Sequence, residues 1–237
     1  WKVVDQCYLC DVCYLTKCPY VPPHPWNLDF PHTMLRAKAI QFKKGTKTKT
    51  RDTLLSNTSA NGKLASIPVV TEAVNFATTN KVARSVGEKM LGVHKSAWLP
   101  KFAKTPFEKS AEISENFPVL DGKLTKGKVA IYSTCYINWN EPGIGHDLIE
   151  ILKVNKIPYI VVEKQGCCGM PKLELGDLDS VEKLKNENIP KMVQLAKEGY
   201  VIVSPIPSCT LMFKQELPLL FPDESDVQIV GKAMMDP

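Results

Sequence analysis

The spacing of eight cysteines constrains this chain more than any other feature of its 237 residues. Four lie within the first 18 residues and four lie in the second half. They are Cys7, Cys10, Cys13 and Cys18, then Cys135, Cys167, Cys168 and Cys209. Thiolates are soft ligands that favour iron–sulfur clusters or zinc over hard cations. Two metal sites of different construction are therefore the simplest interpretation.

The first group has the spacing C-x2-C-x2-C-x4-C and is followed directly by Pro19. It is close to the ferredoxin run whose thiolates hold a [4Fe–4S] cluster. Structural zinc more often uses two separated Cys or His knuckles, so zinc is the competing and less favoured interpretation. Cys18 has two candidate roles, because the last cysteine of such a run serves the other cluster in two-cluster ferredoxins. It completes the cluster of the first three cysteines, or it belongs to a second cluster with ligands upstream of Trp1.

The second group brackets the tripeptide Cys167-Cys168-Gly169. Short apolar runs that alternate with helical patterns predict strands at 128–133, 157–162 and 200–204. Strands joined by helical crossovers run parallel, so their carboxyl ends share the sheet edge where α/β proteins bind ligands. Every cysteine of this group follows one of these strands, so we expect all four at that edge. A vicinal disulfide or simple buried thiols are the alternatives to a metal site.

The sequence predicts an α/β protein in three regions. They are a ferredoxin-like iron–sulfur module at 1–41, a mainly helical linker at 42–127, and a domain with a small parallel sheet flanked by helices at 128–237. Prolines up to Pro31 argue against a long helix before Met34. In the linker, which has no convincing strand pattern, Asn61-Gly62 predicts a turn, and the spacing from 70 to 91 predicts one helix that ends at Gly92.

Charge is divided unequally along the chain. Residues 1–110 carry a net charge of +10, with 17 Lys and Arg against 7 Asp and Glu, whereas residues 111–237 carry −5, with 13 against 18. A basic surface suits nucleic acid, anionic lipid headgroups or an acidic protein. The densest basic run, Lys43 to Arg51, lacks aromatic residues, and we interpret it as a solvated loop. The start at Trp1 and the end at Pro237, just after a predicted helix start, suggest a piece of a longer polypeptide.

The second cysteine group resembles a known domain. Cys135, thirty-one residues, Cys167-Cys168-Gly169, thirty-nine residues and Cys209 follow the pattern of the cysteine-rich CCG domain of heterodisulfide reductase catalytic subunits. The same domain occurs in the iron–sulfur subunit of anaerobic glycerol-3-phosphate dehydrogenase and in related succinate and lactate oxidoreductase subunits. The stretch from Cys7 to Trp26 is similar to the ferredoxin portion of a branch that includes this glycerol-3-phosphate dehydrogenase subunit. The resemblance covers 1–41 and 128–237, and it implies that one ferredoxin run and one CCG half are missing.

One position departs from the heterodisulfide reductase pattern. In those enzymes the domain binds a non-cubane [4Fe–4S] cluster through five cysteines, the last two of which form a CxxC pair. Here Met212 stands three residues after Cys209, so the fifth ligand is absent. The departure counts against a non-cubane cluster and against disulfide-cleaving chemistry. An ordinary four-thiolate cluster and a differently ligated one both stay open.

The resemblance implies a function. We expect a [4Fe–4S] cluster on the first run and a second iron–sulfur cluster at the CCG cysteines, in a subunit that relays electrons between a flavoprotein dehydrogenase and a quinone or other acceptor. The alternatives are a heterodisulfide or thiol reductase acting at the CCG cluster and a zinc-stabilised module that binds nucleic acid or protein. Nucleic acid is not favoured. The expected location is the cytoplasm, including the inner face of the cytoplasmic membrane as a peripheral protein.

Overall fold

The computed structural model describes residues 1–16, 18–45, 50–112, 114–115 and 127–237. Residues 46–49 of the basic run, whose solvated-loop interpretation is therefore not tested there, lie outside the described residues. The described chain divides into two compact units. The first unit comprises Trp1–Ser56 and Gly169–Glu182, and the second comprises Asn57–Cys168 and Lys183–Pro237.

Helices make up most of the described chain. In chain order they are α1 (Lys2–Gln6), α2 (Val12–Thr16), α3 (Phe30–Lys43), α4 (Thr50–Ser56), α5 (Thr58–Ala65), α6 (Pro68–Thr79), α7 (Lys81–Leu91), α8 (Phe107–Ser110), α9 (Thr134–Trp139), α10 (Pro142–Val154), α11 (Met170–Leu175), α12 (Leu178–Lys197), α13 (Pro207–Leu211), α14 (Leu217–Leu220) and α15 (Ser225–Ala233). A π-helical turn, Met212–Glu216, joins α13 to α14. The strands are β1 (Ser114–Glu115), β2 (Val129–Ile131), β3 (Tyr159–Val161), β4 (Val201–Val203) and β5 (Met234–Met235).

The sheet of the second unit has the order β1-β3-β2-β4-β5. The central strand β2 pairs in parallel with β3 and β4, and β4 pairs in parallel with β5. Only the two-residue edge strand β1 is antiparallel within the described residues. The predicted α/β class with a small parallel sheet is confirmed. The strands β1 and β5 have no counterpart among the predicted strands, because two-residue strands carry too few side chains to show a period.

Helix α10 packs on the sheet through one apolar stripe. Leu148, Ile149 and Leu152 are buried on it, while Ile151 is exposed. The three buried residues belong to a hydrophobic core cluster that consists of Phe107, Ile131, Ile137, Leu148, Ile149, Leu152, Tyr159, Val161 and Val203. Burial of each such side chain contributes roughly 1.5 to 3 kcal/mol. The core thereby fixes β2, β3 and β4, whose carboxyl ends carry the second cysteine group.

The first long helix starts earlier than expected. Helix α3 begins at Phe30, and the Asp29 carboxylate caps it by accepting a hydrogen bond from the His32 backbone N–H at 3.1 Å. Pro31 lies in the first turn, where the missing N–H has no intrahelical partner in any case. The expected delay until Met34 is therefore wrong, because proline interrupts a helix only beyond its first turn.

The predicted single helix from 70 to 91 is two helices, α6 and α7. The chain breaks at Asn80, whose side-chain oxygen accepts hydrogen bonds from the backbone N–H groups of Val82 and Ala83 and so caps α7. The predicted stop at Gly92 is confirmed, because this residue has φ +68°, a left-handed conformation that glycine adopts without strain.

The turn predicted at Asn61-Gly62 is wrong, since both residues lie inside α5. Gly62 is there because α5 packs closely against α9: a Cβ atom at this position would lie 2.3 Å from the indole ring of Trp139. Sequence alone cannot separate a glycine that makes a turn from one that lets two helices approach each other.

Replacing Gly62 with alanine is expected to lower the free energy of unfolding by about 2 kcal/mol, because the added methyl group forces the Trp139 ring out of place. Gly87→Ala is the matched control, as this helical glycine has nothing within 4 Å of a built Cβ. The control should be neutral or stabilising by up to about 1 kcal/mol, through better helix propensity. Urea denaturation of both variants measures the difference, and equal stabilities would contradict the close packing of α5 on α9.

Candidate metal centres

The four cysteines of the second group lie just beyond the carboxyl ends of three parallel strands. Cys135 is the second residue of α9, which follows β2, and Cys209 lies in α13, which follows β4. Cys167 and Cys168 occupy the segment between β3 and α11. The placement follows from the parallel crossovers, which bring these strand ends to one edge of the sheet.

The residue before Cys135 has a strained backbone conformation. Thr134 has φ +60°, which is a true outlier for a β-branched residue. Its hydroxyl oxygen accepts a hydrogen bond from the backbone N–H of Ile137 at 3.2 Å, so Thr134 caps the helix it begins. Backbone strain of this kind persists only where the surroundings hold it, and it is concentrated at functional sites.

The four sulfur atoms form a continuous chain of contacts. Cys135 Sγ lies 4.0 Å from Cys167 Sγ, and the Cys168 thiol is hydrogen bonded to those of Cys167 and Cys209. Cys167, Cys168 and Cys209 are at most 4% exposed, whereas Cys135 is partly exposed. The structure thus brings together all four cysteines that the sequence placed at this edge.

Hydrogen bonding and burial keep the thiols of Cys135 and Cys168 protonated in the absence of metal. The pKa of Cys168 is raised by its hydrogen bonds to Cys167 and Cys209 and by burial. The pKa of Cys135 is raised by its hydrogen bond to Cys167 and by burial. A metal that binds thiolates here must displace protons, so its affinity falls as the pH is lowered.

Tyr132 lies among the four sulfurs. It is fully buried, and burial raises its pKa. The Tyr132 hydroxyl donates a hydrogen bond of 2.6 Å to the Gly166 carbonyl oxygen, and the ring packs edge-on against Phe213 with centroids 5.1 Å apart. Tyr132 therefore supports the segment that carries Cys167 and Cys168.

Asn188 holds the same segment from α12. Its side-chain oxygen accepts a hydrogen bond from the Gly166 backbone N–H at 2.9 Å, and its amide group donates to the Cys167 carbonyl at 3.0 Å. The residue is 2% exposed. One carboxamide thus satisfies two backbone groups that lie outside the strands and helices, which fixes the backbone immediately before the adjacent cysteines.

The spacing of the cysteines does not indicate that Tyr132 and Asn188 support the segment that carries Cys167 and Cys168. In the sequence, Tyr132 looks like one more apolar residue of a strand. Asn188 did leave a signal, because it lies one residue before Ile189 and four before Met192, on the buried side of the predicted helix. A polar residue in such a stripe needs a partner, and here the partner is the cysteine segment.

The residues of this site fit an iron–sulfur cluster by their donor chemistry. Four thiols, three of them buried, supply soft ligands. Thr58 Oγ1 is buried without a hydrogen-bond partner among the described residues, yet it lies close enough to Cys135 to lower the pKa of that thiol. A thiolate at Cys135 would accept the hydrogen bond that this hydroxyl otherwise lacks.

The expected position of a fifth ligand is apolar. Met212 is fully buried at the start of the π-helical turn that follows α13. Turns of this type are rare and often lie at functional sites.

In the first cysteine group, Cys7 and Cys10 lie on the loop between α1 and α2, and Cys13 lies in α2. Leu9 and Asp11 have φ values of +53° and +57°, so left-handed residues interrupt the run between its cysteines. Successive backbone N–H groups in such turns form concave nests that suit anionic groups, including iron–sulfur clusters. Lys38 of α3 supports the loop through a hydrogen bond of 2.5 Å from its Nζ to the Cys7 carbonyl.

Cysteine exposure differs between the two groups. Cys10 and Cys13 are exposed, and Cys7 and Cys18 are partly exposed. Within the described parts of the chain, no three His, Cys, Asp or Glu side chains are arranged to hold a single metal ion. The ligand roles of the first four cysteines, including the role of Cys18, stay predictions from their spacing.

Comparison with known proteins agrees with the geometry of the second unit. Residues 129–214 match the family model of the CCG cysteine-rich domain. This range contains β2 to β4 and all four cysteines of the second group. Comparison with solved structures gave no match.

The relatives include two subunits of oxidoreductases and a lactate utilization protein. One subunit of the anaerobic glycerol-3-phosphate dehydrogenase of Escherichia coli (strain K12) is 25% identical over 176 residues, which are 71% of this chain and 41% of the relative. Lactate utilization protein A of Bacillus velezensis is 31% identical over 97 residues, 41% of this chain and 39% of the relative. One subunit of the CoM/CoB fumarate reductase of Methanothermobacter marburgensis is 27% identical over 107 residues, 45% of this chain and 21% of the relative. The chain thus spans about two fifths of the length of the first two relatives. The resemblance to the CCG-domain, heterodisulfide reductase-related oxidoreductases is confirmed.

Proposed function

We propose that this chain is part of an iron–sulfur electron-transfer subunit of an oxidoreductase. It relays electrons between a flavoprotein dehydrogenase and a quinone or other acceptor. The observation that carries the proposal is the chain of four contacting cysteine sulfurs at the carboxyl edge of the parallel sheet. The similarity to subunits of glycerol-3-phosphate dehydrogenase and fumarate reductase supports a dehydrogenase partner.

The second site would hold an iron–sulfur cluster through Cys135, Cys167, Cys168 and Cys209. A bound cluster supplies one-electron oxidation and reduction. The protein supplies four thiolates and excludes water from three of them. The side chains of Tyr132 and Asn188 hold the backbone of the segment that carries Cys167 and Cys168 in place. Burial and hydrogen bonds to the sulfurs are the means by which a protein sets the reduction potential of such a cluster.

The first site would hold a [4Fe–4S] cluster through Cys7, Cys10, Cys13 and Cys18. Exposure of Cys10 and Cys13 supports electron exchange with a partner at this module, because transfer needs close approach of the two redox groups. The proposed domains are the iron–sulfur module at 1–41, the mainly helical linker at 42–127 and the CCG domain at 128–237.

Electron transfer is favoured over catalysis at the second site. A heterodisulfide reductase would need the five-cysteine arrangement, and the buried Met212 occupies the position of its last ligand.

A quinone acceptor requires that the protein work at the surface of the cytoplasmic membrane. None of the helices in the described parts of the chain is both long and apolar enough to cross a bilayer.

Anaerobic electron paramagnetic resonance with iron and sulfide analysis tests the proposal. We expect two signals after reduction and about eight iron and eight sulfide per chain, with broad absorption near roughly 400 nm. A colourless protein that contains zinc and no sulfide would refute it. Turnover of a heterodisulfide would displace electron transfer in favour of catalysis at the CCG site.

A further inference from the structure

Helix α5 packs on α9 through two matched pairs of residues. Thr58 and Gly62 lie one turn apart on the same face of α5. Cys135 and Trp139 have the same spacing on α9. Gly62 lies so close to the Trp139 indole that a Cβ atom would be 2.3 Å from the ring. One turn earlier in both helices, the Thr58 hydroxyl lies beside the Cys135 thiol. The register of the two helices therefore brings these two side chains together.

The hydroxyl of Thr58 differs from those of other threonines in helices of this chain. Four of these donate a hydrogen bond of 2.5 to 3.0 Å to the backbone carbonyl four residues earlier, namely those of Thr16, Thr33, Thr71 and Thr79. Thr58 begins its helix, and its oxygen is buried without a hydrogen-bond partner within the described part of the chain. A buried polar group without a partner is unfavourable, so this hydroxyl needs one.

Cys135 is the cysteine of the second site that most needs a fixed donor. It is partly exposed, whereas the other three cysteines of the site are buried. A thiolate is a stronger hydrogen-bond acceptor than a thiol, because it carries a full negative charge. Hydrogen bonds to the ligand sulfurs favour the reduced form of an iron–sulfur cluster, because reduction adds negative charge to the cluster and its ligands. A donor held beside Cys135 would therefore act on the reduction potential.

The hydroxyl comes from outside the domain that carries the cysteines. The family model matches residues 129–214, whereas α5 ends at Ala65. Ala65 lies seven residues after Thr58, on the same face of α5, and is 3% exposed. The face of α5 that carries Thr58 is thus buried over two turns, which holds the hydroxyl in position. The region before the matched domain contributes a polar group to the cysteine site.

We propose that Thr58 is a positioning residue of the second site, whose hydroxyl donates a hydrogen bond to the Cys135 thiolate and so raises the reduction potential of the cluster held there. The step that it affects is the transfer of one electron to that cluster from the redox partner. The hydroxyl keeps its proton, and no covalent bond of the protein forms or breaks. The inference deepens the proposed function and rests on it for the presence of the second cluster.

A redox titration followed by electron paramagnetic resonance tests the role of Thr58. The signal of the second cluster is identified as the one that Cys168→Ser abolishes. Thr58→Val removes the hydroxyl and keeps the size of the side chain. At a fixed potential it should leave about tenfold less of the second cluster reduced, which for one electron is a midpoint potential lower by roughly 59 mV. Thr58→Ser keeps a hydroxyl and should restore most of the wild-type potential. The first cluster is the internal reference, and its potential should not change.

Thr78→Val is the matched control for Thr58→Val. Thr78 is also half-buried, but its hydroxyl donates to the Asn75 carbonyl at 3.2 Å, so its loss should leave both potentials unchanged. An unchanged potential in Thr58→Val, an equal shift in Thr78→Val, or a potential in Thr58→Ser as low as in Thr58→Val would overturn the inference. Loss of the second cluster from Thr58→Val would show a structural role and would also overturn it. Iron content is measured in parallel, and a wild-type protein without the second cluster would refute the proposed function itself.

Discussion

Replacing Cys168 with serine is expected to remove one of two iron–sulfur clusters and to leave the other intact. Cys168 lies in the middle of the sulfur chain, hydrogen bonded to both Cys167 and Cys209, and is 3% exposed. Serine is a hard, weakly acidic ligand that cannot replace a buried thiolate. Iron and sulfide should therefore fall to about half, with loss of one paramagnetic signal.

The reciprocal variant is the control for Cys168→Ser. Cys13 lies in the first unit. Cys13→Ser should remove the paramagnetic signal that Cys168→Ser leaves intact, and it should retain the signal that Cys168→Ser abolishes. Loss of both signals in either variant, with the fold retained by circular dichroism, would contradict two independent sites. Full iron content in Cys168→Ser would show that this cysteine is not a ligand.

Replacing Asn188 with alanine is expected to lower the free energy of unfolding by about 3 kcal/mol. The variant loses two hydrogen bonds and leaves the Gly166 N–H and the Cys167 carbonyl buried without their partner. For a unit of this size the loss corresponds to a melting temperature lower by roughly 10 °C. Thermal and urea unfolding measure it, and iron release to a chelator should be faster than in the wild type.

Asn155→Ala is the matched control for Asn188→Ala. The Asn155 side chain donates a single hydrogen bond of 2.8 Å to the Ile151 carbonyl at the exposed end of α10. Its removal should change the free energy of unfolding by no more than about 0.5 kcal/mol. If both variants had the same stability and iron release, Asn188 would have no special role in holding the cysteine segment.

The sequence predicts the central sheet because its signals are local. Apolar runs at 128–133, 157–162 and 200–204 are bounded by turn residues, and a parallel crossover has a nearly invariant hand. The positions of Cys135 and Cys209 follow once the strands are known. The expectations for the three central strands and for the cysteines that follow them were therefore met.

Features that depend on distant contacts were not predictable. Gly62 indicates a turn until Trp139 is placed against it, and the hydrogen-bond partner of Asn188 is unknown until the cysteine segment is placed beside it. The break at Asn80 occurs because its side chain caps α7. The capped break and one continuous helix differ only slightly in free energy, so the sequence does not decide between them. For the first four cysteines the sequence is more informative than the structure, since their role as ligands is inferred from spacing alone.

Partial exposure of Cys135 makes one side of the second site accessible to solvent. The other three cysteines of the site are buried, so reagents from solution meet the thiol of Cys135 first. Dioxygen, peroxide and alkylating agents would attack at that corner, and damage would begin there and spread inward. A cluster bound here would have Cys135 as its solvent-facing ligand.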